Sequence, residues 1–270
     1  MPQCSFDYTP HYRWEWFIRD QWRHSFRERK RRSSGAFVEL VRERGLLDQA
    51  VLDCSCGLGL KTIVMREAGL RVHGSDICPE AIRLARLFAE EEGHSDISYF
   101  VSSWAELPQT STARYVAVFN DVLSWVHSEE EMDASLRGLH DCLLPGGFLA
   151  YAGALPDTLE DREKLLEQEW KKRTVNGRHW SGISGESDRI SVQEVVFAEK
   201  GDDYIGEHHV YVVRDESGRR VENWCLRCSL KWGWATIEPF LRKAGFQSFE
   251  TKKFTAANGK PFDLVVATRD

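Results

Sequence analysis

The chain has 270 residues, of which 42% are hydrophobic and 29% are charged, and its formal net charge is −6. This length allows one large domain with an insertion, and the hydrophobic fraction is enough for a sizeable core. The first residues lack the apolar stretch of a signal peptide, and no run reaches the about 18 apolar residues that a membrane span needs. We therefore expect a cytoplasmic protein without a membrane partner, and the acidic balance makes a nucleic acid an unlikely partner.

The chain contains seven cysteines. An odd number without a secretory signal predicts reduced thiols. Cys225 and Cys228 are three residues apart in a strand-like stretch, so they face opposite sides of it. Cys54 and Cys56 lie within a glycine turn, where a metal would compete with a ligand. We predict no metal site and interpret the cysteines as structural thiols.

Residues 8–44 are predicted to be helical, with many aromatic side chains and a basic run from Arg27 to Arg32. The spacing of Trp14, Phe17 and Trp22 is typical of one helix face, so most of these rings are expected to pack in the core. Residues 1–44 are interpreted as an N-terminal helical lid over a pocket.

The segment Val51–Gly74 reads as a strand, a tight turn, a helix and a second strand. The first strand ends at Asp53, the turn contains Gly57 and Gly59, and Asp76 follows the second strand. Glycines let the backbone approach a ligand closely, and an acid after the second strand can accept hydrogen bonds from ribose hydroxyls. The segment therefore predicts a nucleoside-binding βαβ unit.

The remaining chain continues this alternation and then departs from it. Further helices are predicted at 79–91, 130–143, 157–173 and 234–244, and further strands at 97–101, 115–119, 148–152, 190–198, 204–214, 220–230, 246–254 and 262–268. Alternating strands and helices up to residue 152 predict a parallel sheet. A Gly/Ser-rich loop at 176–187 precedes three strand-like runs with short turns between them, which predict an antiparallel meander.

The predicted fold class is α/β, with a Rossmann-like, seven-stranded, mostly parallel sheet that has helices on both faces, an N-terminal helical lid and an antiparallel β insertion. We predict that residues 45–155 and 232–270 form the sheet domain and that residues 156–231 form the insertion. The insertion or the N-terminal segment could also mediate a homo-oligomer.

Five short motifs give the chain a family resemblance. VLDCSCGLG, GSD at Asp76, SSWAELP, NDVLSWVH and LLPGGFLAYAG resemble the five motifs of class I S-adenosylmethionine (SAM)-dependent methyltransferases, in chain order. The resemblance covers residues 45–155 and 232–270. An aromatic N-terminal helix together with a meander before the last helix is similar to the layout of glycine and sarcosine N-methyltransferases.

The resemblance implies SAM as the cofactor, with S-adenosylhomocysteine as its product. The implied cofactor contacts are Asp53, Ser55, Gly57, Gly59, Asp76, Ile77, Ser103, Trp104, Asn120 and Leu123. One arginine of the basic run, with Arg29, Arg31 and Arg32 as candidates, would pair with the SAM carboxylate. Ser103 stands where the family often has an acid. A dehydrogenase would have the pattern GxGxxG; here Leu60 and Lys61 follow Gly59 and the third glycine is absent, which favours SAM over NAD.

Several residues are candidates for catalysis and acceptor binding. His127 is a candidate general base because imidazole titrates near neutrality, although an exposed loop histidine is an equal alternative. The ring of Tyr8 or Tyr12 could face a sulfonium or an ammonium group, with a cation–π attraction of about 0.5–2 kcal/mol. Tyr12 is also a catalytic candidate. The substrate-binding candidates are Tyr8, Tyr12, Trp125, Arg173 and Trp180.

The leading hypothesis is methyl transfer to a small molecule, with a nitrogen of an amino acid or a related amine as the favoured acceptor atom. O- or S-methylation of a natural product or xenobiotic is the main alternative. RNA methylation would need a continuous basic surface, which the acidic balance disfavours. A non-catalytic SAM-binding subunit is a fourth hypothesis; Ser103 favours it, whereas Asp53, Gly57, Gly59 and Asp76 oppose it.

Overall fold

The computed structural model describes residues 7–19, 34–152, 156–171, 178–179, 184–186, 189–255 and 261–270. The helices are α1 (Thr9–Arg19), α2 (34–43), α3 (Leu60–Glu67), α4 (Pro79–Glu91), α5 (Leu107–Thr110), α6 (Glu129–Asp141), α7 (Leu159–Lys171) and α8 (Trp234–Ala244). The strands are β1 (Ala50–Asp53), β2 (Arg71–Asp76), β3 (Ser98–Val101), β4 (Tyr115–Asn120), β5 (Leu143–Ala152), β6 (Arg178–His179), β7 (Ser184–Glu186), β8 (Ser191–Lys200), β9 (Tyr204–Asp215), β10 (Gly218–Ser229), β11 (Phe246–Thr255) and β12 (Pro261–Arg269). Short 3-10 turns span Trp104–Glu106 and Leu123–Trp125.

The central sheet has seven strands in the order β11-β12-β5-β4-β1-β2-β3. Strands β3, β2, β1, β4 and β5 are parallel to one another, whereas β12 is antiparallel to both β5 and β11. All six residues of β4 are buried, as expected for a strand covered on both faces. The predicted seven-stranded, mostly parallel α/β fold is confirmed.

Local sequence signals explain where the flanking helices begin and end. Helix α4 has Pro79 in its first turn, where the missing N–H costs nothing, and it buries Ile82, Ala85 and Phe88. Helix α8 ends at Gly245, whose φ of 111° suits a glycine C-cap. These helices cover the sheet and leave the carboxyl ends of β1, β2 and β4 on one edge.

The insertion forms a second, antiparallel sheet with the path β10-β9-β8-β6, and β7 also pairs with β8. The predicted meander is present as β8, β9 and β10. The prediction of a loop over 176–187 is wrong at β6 and β7, because both short strands pair with β8 by backbone hydrogen bonds that side-chain composition does not reveal.

Helix α1 packs on this second sheet and also contacts α4 of the central domain. Trp14 and Trp224 are 4% and 2% exposed and share an apolar cluster with Tyr211, Val192 and Val213. The indole N–H of Trp14 donates to Glu222 over 2.7 Å. The second sheet therefore supports the N-terminal helix.

The cysteines differ in part from the expectation. Cys225 is disulfide-bonded, so the prediction of reduced thiols is wrong at this position. Spatial proximity of two sulfur atoms decides pairing, and sequence spacing does not report it. Cys54, Cys56, Cys78 and Cys142 are buried free thiols.

Some predictions concern residues outside the described ranges. These are the cofactor candidates Arg29, Arg31 and Arg32 and the substrate candidates Arg173 and Trp180. Among the described residues, no helix combines the length and the apolar character that a membrane crossing requires.

Candidate active site

A cavity of about 860 Å³ lies at the carboxyl ends of β1, β2 and β4, where the chain order of neighbouring strands reverses. Open α/β sheets bind ligands at this topological position, and the volume is typical of a small-molecule pocket. The predicted site residues that line it are Tyr8, Tyr12, Ser55, Gly57, Asp76, Ile77, Ser103, Trp104, Trp125 and His127.

Asp76 ends β2 and is 6% exposed. Its Oδ2 accepts from the Gly57 N–H over 2.9 Å, and its Oδ1 accepts from the Cys78 N–H over 3.0 Å. Burial raises the pKa of this carboxyl group above its usual value, although the two N–H bonds oppose the shift. The carboxylate is thereby held in one orientation at the cavity wall.

The glycine turn approaches the cavity with backbone rather than side chain. Gly57 has a φ of 54°, and a Cβ atom built there would lie 3.2 Å from the Tyr12 ring. The neighbouring hydroxyl of Ser55 lines the cavity, is buried and has no hydrogen-bond partner within the part of the chain that the structure describes. A positive φ and a close neighbour both favour glycine at position 57.

Trp104 and Ser103 form the wall that follows β3. The indole N–H of Trp104 donates to the Cys54 carbonyl over 2.7 Å, which fixes the ring beside the end of β1. The hydroxyl of Ser103 donates to Glu106 over 2.7 Å. The acid that the family often has at position 103 is thus replaced by a hydroxyl that already has a carboxylate partner.

Four predicted contacts are not among the residues that line the cavity. Asp53 is buried and accepts a hydrogen bond from the Thr62 hydroxyl over 2.8 Å. Asn120 is also buried; its amide donates to the Cys54 sulfur over 3.3 Å, and its side-chain oxygen accepts from the Val122 N–H. Leu123 is fully buried in the core, and Gly59 lies against Tyr99. For Asp53 and Asn120 the reason is that side chains alternate along a strand, so only some of those at a strand end face the cavity.

The other end of the cavity contains Trp125 and His127. The backbone N–H of His127 donates to Glu131 over 3.1 Å, and Glu131 lines the cavity as well. His127 is exposed overall, as one of the two sequence-based alternatives expected, and the partial burial of its ring lowers its pKa below the usual value, opposed in part by the nearby Glu131 carboxylate. The imidazole is therefore neutral at pH 7 and able to accept a proton.

Tyr8, His11 and Tyr12 of the N-terminal segment cover one side of the cavity. The Tyr12 hydroxyl lies 3.4 Å from Asp76 Oδ2, and the His11 ring lies 4.1 Å from the Trp224 ring. Burial raises the pKa of Tyr8, and the Asp76 carboxylate adds to the shift. Helix α1 thus contacts both the second sheet and the edge of the central sheet at which the cavity lies.

Sequence reasoning missed three ionisable residues of the lining: His11, Lys61 and Glu131. Lys61 could have been found from the sequence, because it follows the glycine turn in a helix whose neighbouring residues are apolar. Within the described ranges, no group of three His, Cys, Asp or Glu side chains is arranged to hold a metal ion.

Comparison with known proteins gives a family match within the central sheet. Residues 51–147 match a family model described as a methyltransferase domain. A ubiquinone biosynthesis O-methyltransferase of Actinobacillus pleuropneumoniae is 33% identical over 111 residues, which is 40% of this chain and 47% of the relative. A ribosomal protein L11 methyltransferase of Photobacterium profundum is 30% identical over 154 residues, which is 55% of this chain and 48% of the relative. The chain thus spans about half the length of these curated relatives.

Solved structures share the fold over most of the chain. Streptomyces venezuelae DesVI has a TM-score of 0.62 at 16% identity and covers 94% of this chain and 97% of its own. The sugar N-methyltransferase KedS8 from Streptoalloteichus has a TM-score of 0.62 at 18% identity, covering 86% and 84%. At these identities the likeness shows the fold.

The cavity has features that fit SAM. The buried hydroxyl of Ser55, unpartnered among the described residues, offers a hydrogen bond, the Gly57 backbone leaves room for close approach, and the oriented carboxylate of Asp76 can accept from two hydroxyls. The family model and the fold agree with this chemistry. Residues 51–147 therefore match a methyltransferase domain, and the chain shares its fold with solved structures that include a sugar N-methyltransferase.

Proposed function

We propose that the protein transfers a methyl group from SAM to a nitrogen of a small amine. The observation that carries this proposal is the charge of the cavity. Among the lining residues that the structure describes, the carboxylates are Asp76, Asp121 and Glu131, whereas Lys61 is the sole lysine or arginine. An excess of carboxylates attracts a cation, and both a sulfonium cofactor and a protonated amine are cations.

A protonated amine must lose a proton before its nitrogen can react. The lowered pKa of His127 keeps its imidazole neutral at pH 7, so it can take that proton as a general base. SAM supplies a methyl group on a sulfonium with a good leaving group. The nitrogen lone pair forms the new N–CH₃ bond as the S–CH₃ bond breaks, which leaves a methylated ammonium ion and S-adenosylhomocysteine. Holding the two partners in line contributes about 7 kcal/mol or more of barrier lowering.

The rings of Tyr8, Tyr12 and Trp125 support the same proposal. All three line the cavity, and aromatic faces attract an ammonium or a sulfonium group. The solved structures of this fold include KedS8, named as a sugar N-methyltransferase, and CalS10, named as an amino pentose methyltransferase. An amine on a small polar molecule is therefore the acceptor class that we propose.

An amino acid acceptor needs a cation for its carboxylate. Arg13 lies 3.6 Å from Glu80 and is not among the lining residues, and Arg173 is outside the described ranges. The likeness to glycine and sarcosine N-methyltransferases stays a prediction.

A hydroxyl acceptor is the second candidate function. The relatives at 32–33% identity are ubiquinone biosynthesis O-methyltransferases, and a neutral His127 can equally remove a hydroxyl proton. Turnover of SAM with matched panels of amines, phenols and thiols, followed by mass spectrometry of the products, separates the two. Methylated amines as the favoured products support the proposal; methylated phenols alone contradict it.

The role of cavity charge has its own test. Glu131→Gln removes a lining carboxylate and should lower kcat/KM for amines about tenfold, because a hydrogen bond to a charged group contributes about 1.5–3 kcal/mol. Glu129→Gln is the matched control, since Glu129 lies in the same helical turn but does not line the cavity. Equal effects of the two substitutions would reject a specific role for Glu131.

A further inference from the structure

Lys61 is a buried lysine at the cavity wall. It is the second residue of α3, directly after the glycine turn, and its side chain is 6% exposed. Its Nζ lies 2.7 Å from Oδ2 of Asp121, which follows β4, and both residues line the cavity. Lysine is almost never buried this deeply unless it is paired, and burial costs several kcal/mol. Such a pair inside a ligand cavity calls for a functional explanation.

The surroundings of Lys61 favour an anion. Helix α3 begins after Gly59, which has no side chain to accept from the first N–H groups of the helix. The start of a helix carries partial positive charge. The buried hydroxyl of Ser55, which has no hydrogen-bond partner among the described residues, lines the same cavity and offers a further donor there. Among the described lining residues, no arginine and no other lysine competes for an anion.

The surroundings of Asp121 favour a cation. The side chain of Asp121 is 31% exposed, whereas that of Lys61 is 6% exposed, so Asp121 has the more accessible side chain of the pair. The two opposite charges lie side by side at the cavity wall. They match the two opposite charges of an α-amino acid group, which is the polar end of SAM. Inserting that zwitterion adds no net charge to the site, which avoids the cost of an unpaired buried ion.

We propose that Lys61 and Asp121 together bind the amino-acid end of SAM, with the Lys61 ammonium on the SAM carboxylate and the Asp121 carboxylate on the SAM ammonium. This inference rests on the proposed function. It gives to Lys61 the task that the sequence analysis assigned to an arginine of the basic run. The Asp121 carboxylate also keeps Lys61 charged before the cofactor binds.

Calorimetric titration with truncated ligands tests the pair directly. The probes are S-adenosylhomocysteine, its decarboxylated analogue and 5′-methylthioadenosine, which lacks the whole amino-acid group. The wild type should bind S-adenosylhomocysteine about tenfold or more tightly than the decarboxylated analogue, as expected for a hydrogen bond to a charged group. Lys61→Gln should weaken S-adenosylhomocysteine about 10- to 100-fold and leave 5′-methylthioadenosine within about twofold. Asp121→Asn should likewise weaken only ligands that carry the ammonium group.

The control is Lys243→Gln, because Lys243 also pairs with an aspartate, Asp133, over 3.1 Å, but lies outside the cavity lining. It should change no affinity. If Lys61→Gln does not fold, Lys61→Met replaces it, because methionine keeps an apolar side chain of similar length. The comparison of the three ligands on the wild type tests the inference without any variant.

Three outcomes would overturn the inference. An equal loss of affinity for S-adenosylhomocysteine and 5′-methylthioadenosine in the Lys61 variants would make the pair structural. An unchanged affinity for S-adenosylhomocysteine would place its carboxylate on another cation. A wild type that binds none of the three nucleosides would refute the proposed function together with the inference.

Discussion

The hydroxyl of Tyr12 lies 3.4 Å from Oδ2 of Asp76, although 64 residues separate them in the chain. The same ring lies over Gly57, whose N–H donates to that carboxylate oxygen over 2.9 Å. The N-terminal helix, the glycine turn and the end of β2 thus meet at one carboxylate. This contact makes α1 part of the cavity wall.

Tyr12 should contribute through its ring more than through its hydroxyl. Asp76 already accepts two backbone hydrogen bonds, and a distance of 3.4 Å is long for a third. We expect Tyr12→Phe to keep the KM for SAM within about threefold and Tyr12→Ala to raise it about tenfold, because only the latter removes a ring worth about 0.5–2 kcal/mol to a cation. Steady-state kinetics with varied SAM checks this. A rise of the KM for SAM in Tyr12→Phe as large as that in Tyr12→Ala would contradict this expectation and show that the hydroxyl is essential.

Gly57→Ala should weaken SAM binding and stability together. The new methyl group would lie 3.2 Å from the Tyr12 ring, and a left-handed φ of 54° costs a non-glycine residue about 1–2 kcal/mol. Gly45→Ala is the matched control. Gly45 also has a positive φ, of 68°, but a Cβ atom built there would have none of the described neighbouring atoms within 4 Å. Both variants should lose similar free energy of unfolding in denaturant titrations, and only Gly57→Ala should lose cofactor affinity in calorimetry.

His127 should determine the acid limb of kcat. Burial lowers the pKa of the folded-state imidazole, so the neutral base persists at pH 7 and is lost only as the pH falls below about 6.5. We expect kcat to fall in that acidic range, and His127→Gln to remove the limb and lower kcat about 100-fold. His94→Gln serves as a control, since His94 is not among the lining residues. A limb that survives in His127→Gln belongs to another group.

His209 should stabilise the fold more at acidic than at alkaline pH. Burial disfavours its protonated ring, but the carboxylates of Glu194 and Glu207, at 2.8 and 3.4 Å, outweigh this and raise the pKa of His209. A raised pKa means that this stabilisation is complete below the unfolded-state value of about 6.5 and is lost as the pH rises through the folded-state value. His209→Gln should cost about 3 kcal/mol of unfolding free energy at pH 6 and less at pH 9.

The matched comparison is His73→Gln. Burial and the charge of Arg71 lower the pKa of His73, so its imidazole binds a proton more tightly in the unfolded chain than in the folded chain. Wild-type stability should therefore fall as the pH drops through about 6.5, and His73→Gln should lessen that fall. Urea titrations at several pH values measure both trends. The same pH trend in the two variants would contradict the assigned directions.

Local spacing made the nucleotide-binding part of the fold readable from the sequence. The strand ending at Asp53, the glycine turn and Asp76 lie within a short segment whose periodicity and turn residues specify their own geometry. The bounds of α4 and α8 agree with the sequence-based bounds because Pro79 and Gly245 mark helix ends without help from distant residues. Short edge strands such as β6 were missed, since their pairing partner β8 supplies the hydrogen bonds.

By itself, the sequence determined the α/β class, the glycine turn and the acid at the end of β2, because these follow from patterns of residues that are near one another in the chain; SAM was implied by the resemblance of the motifs to a known family. Only the tertiary structure decided that Lys61 meets Asp121, that α1 rests on a second sheet, and that Asp53 is buried without lining the cavity. Such contacts depend on which strands become neighbours. β1 lies between β2 and β4, and that order brings together side chains 60 residues apart.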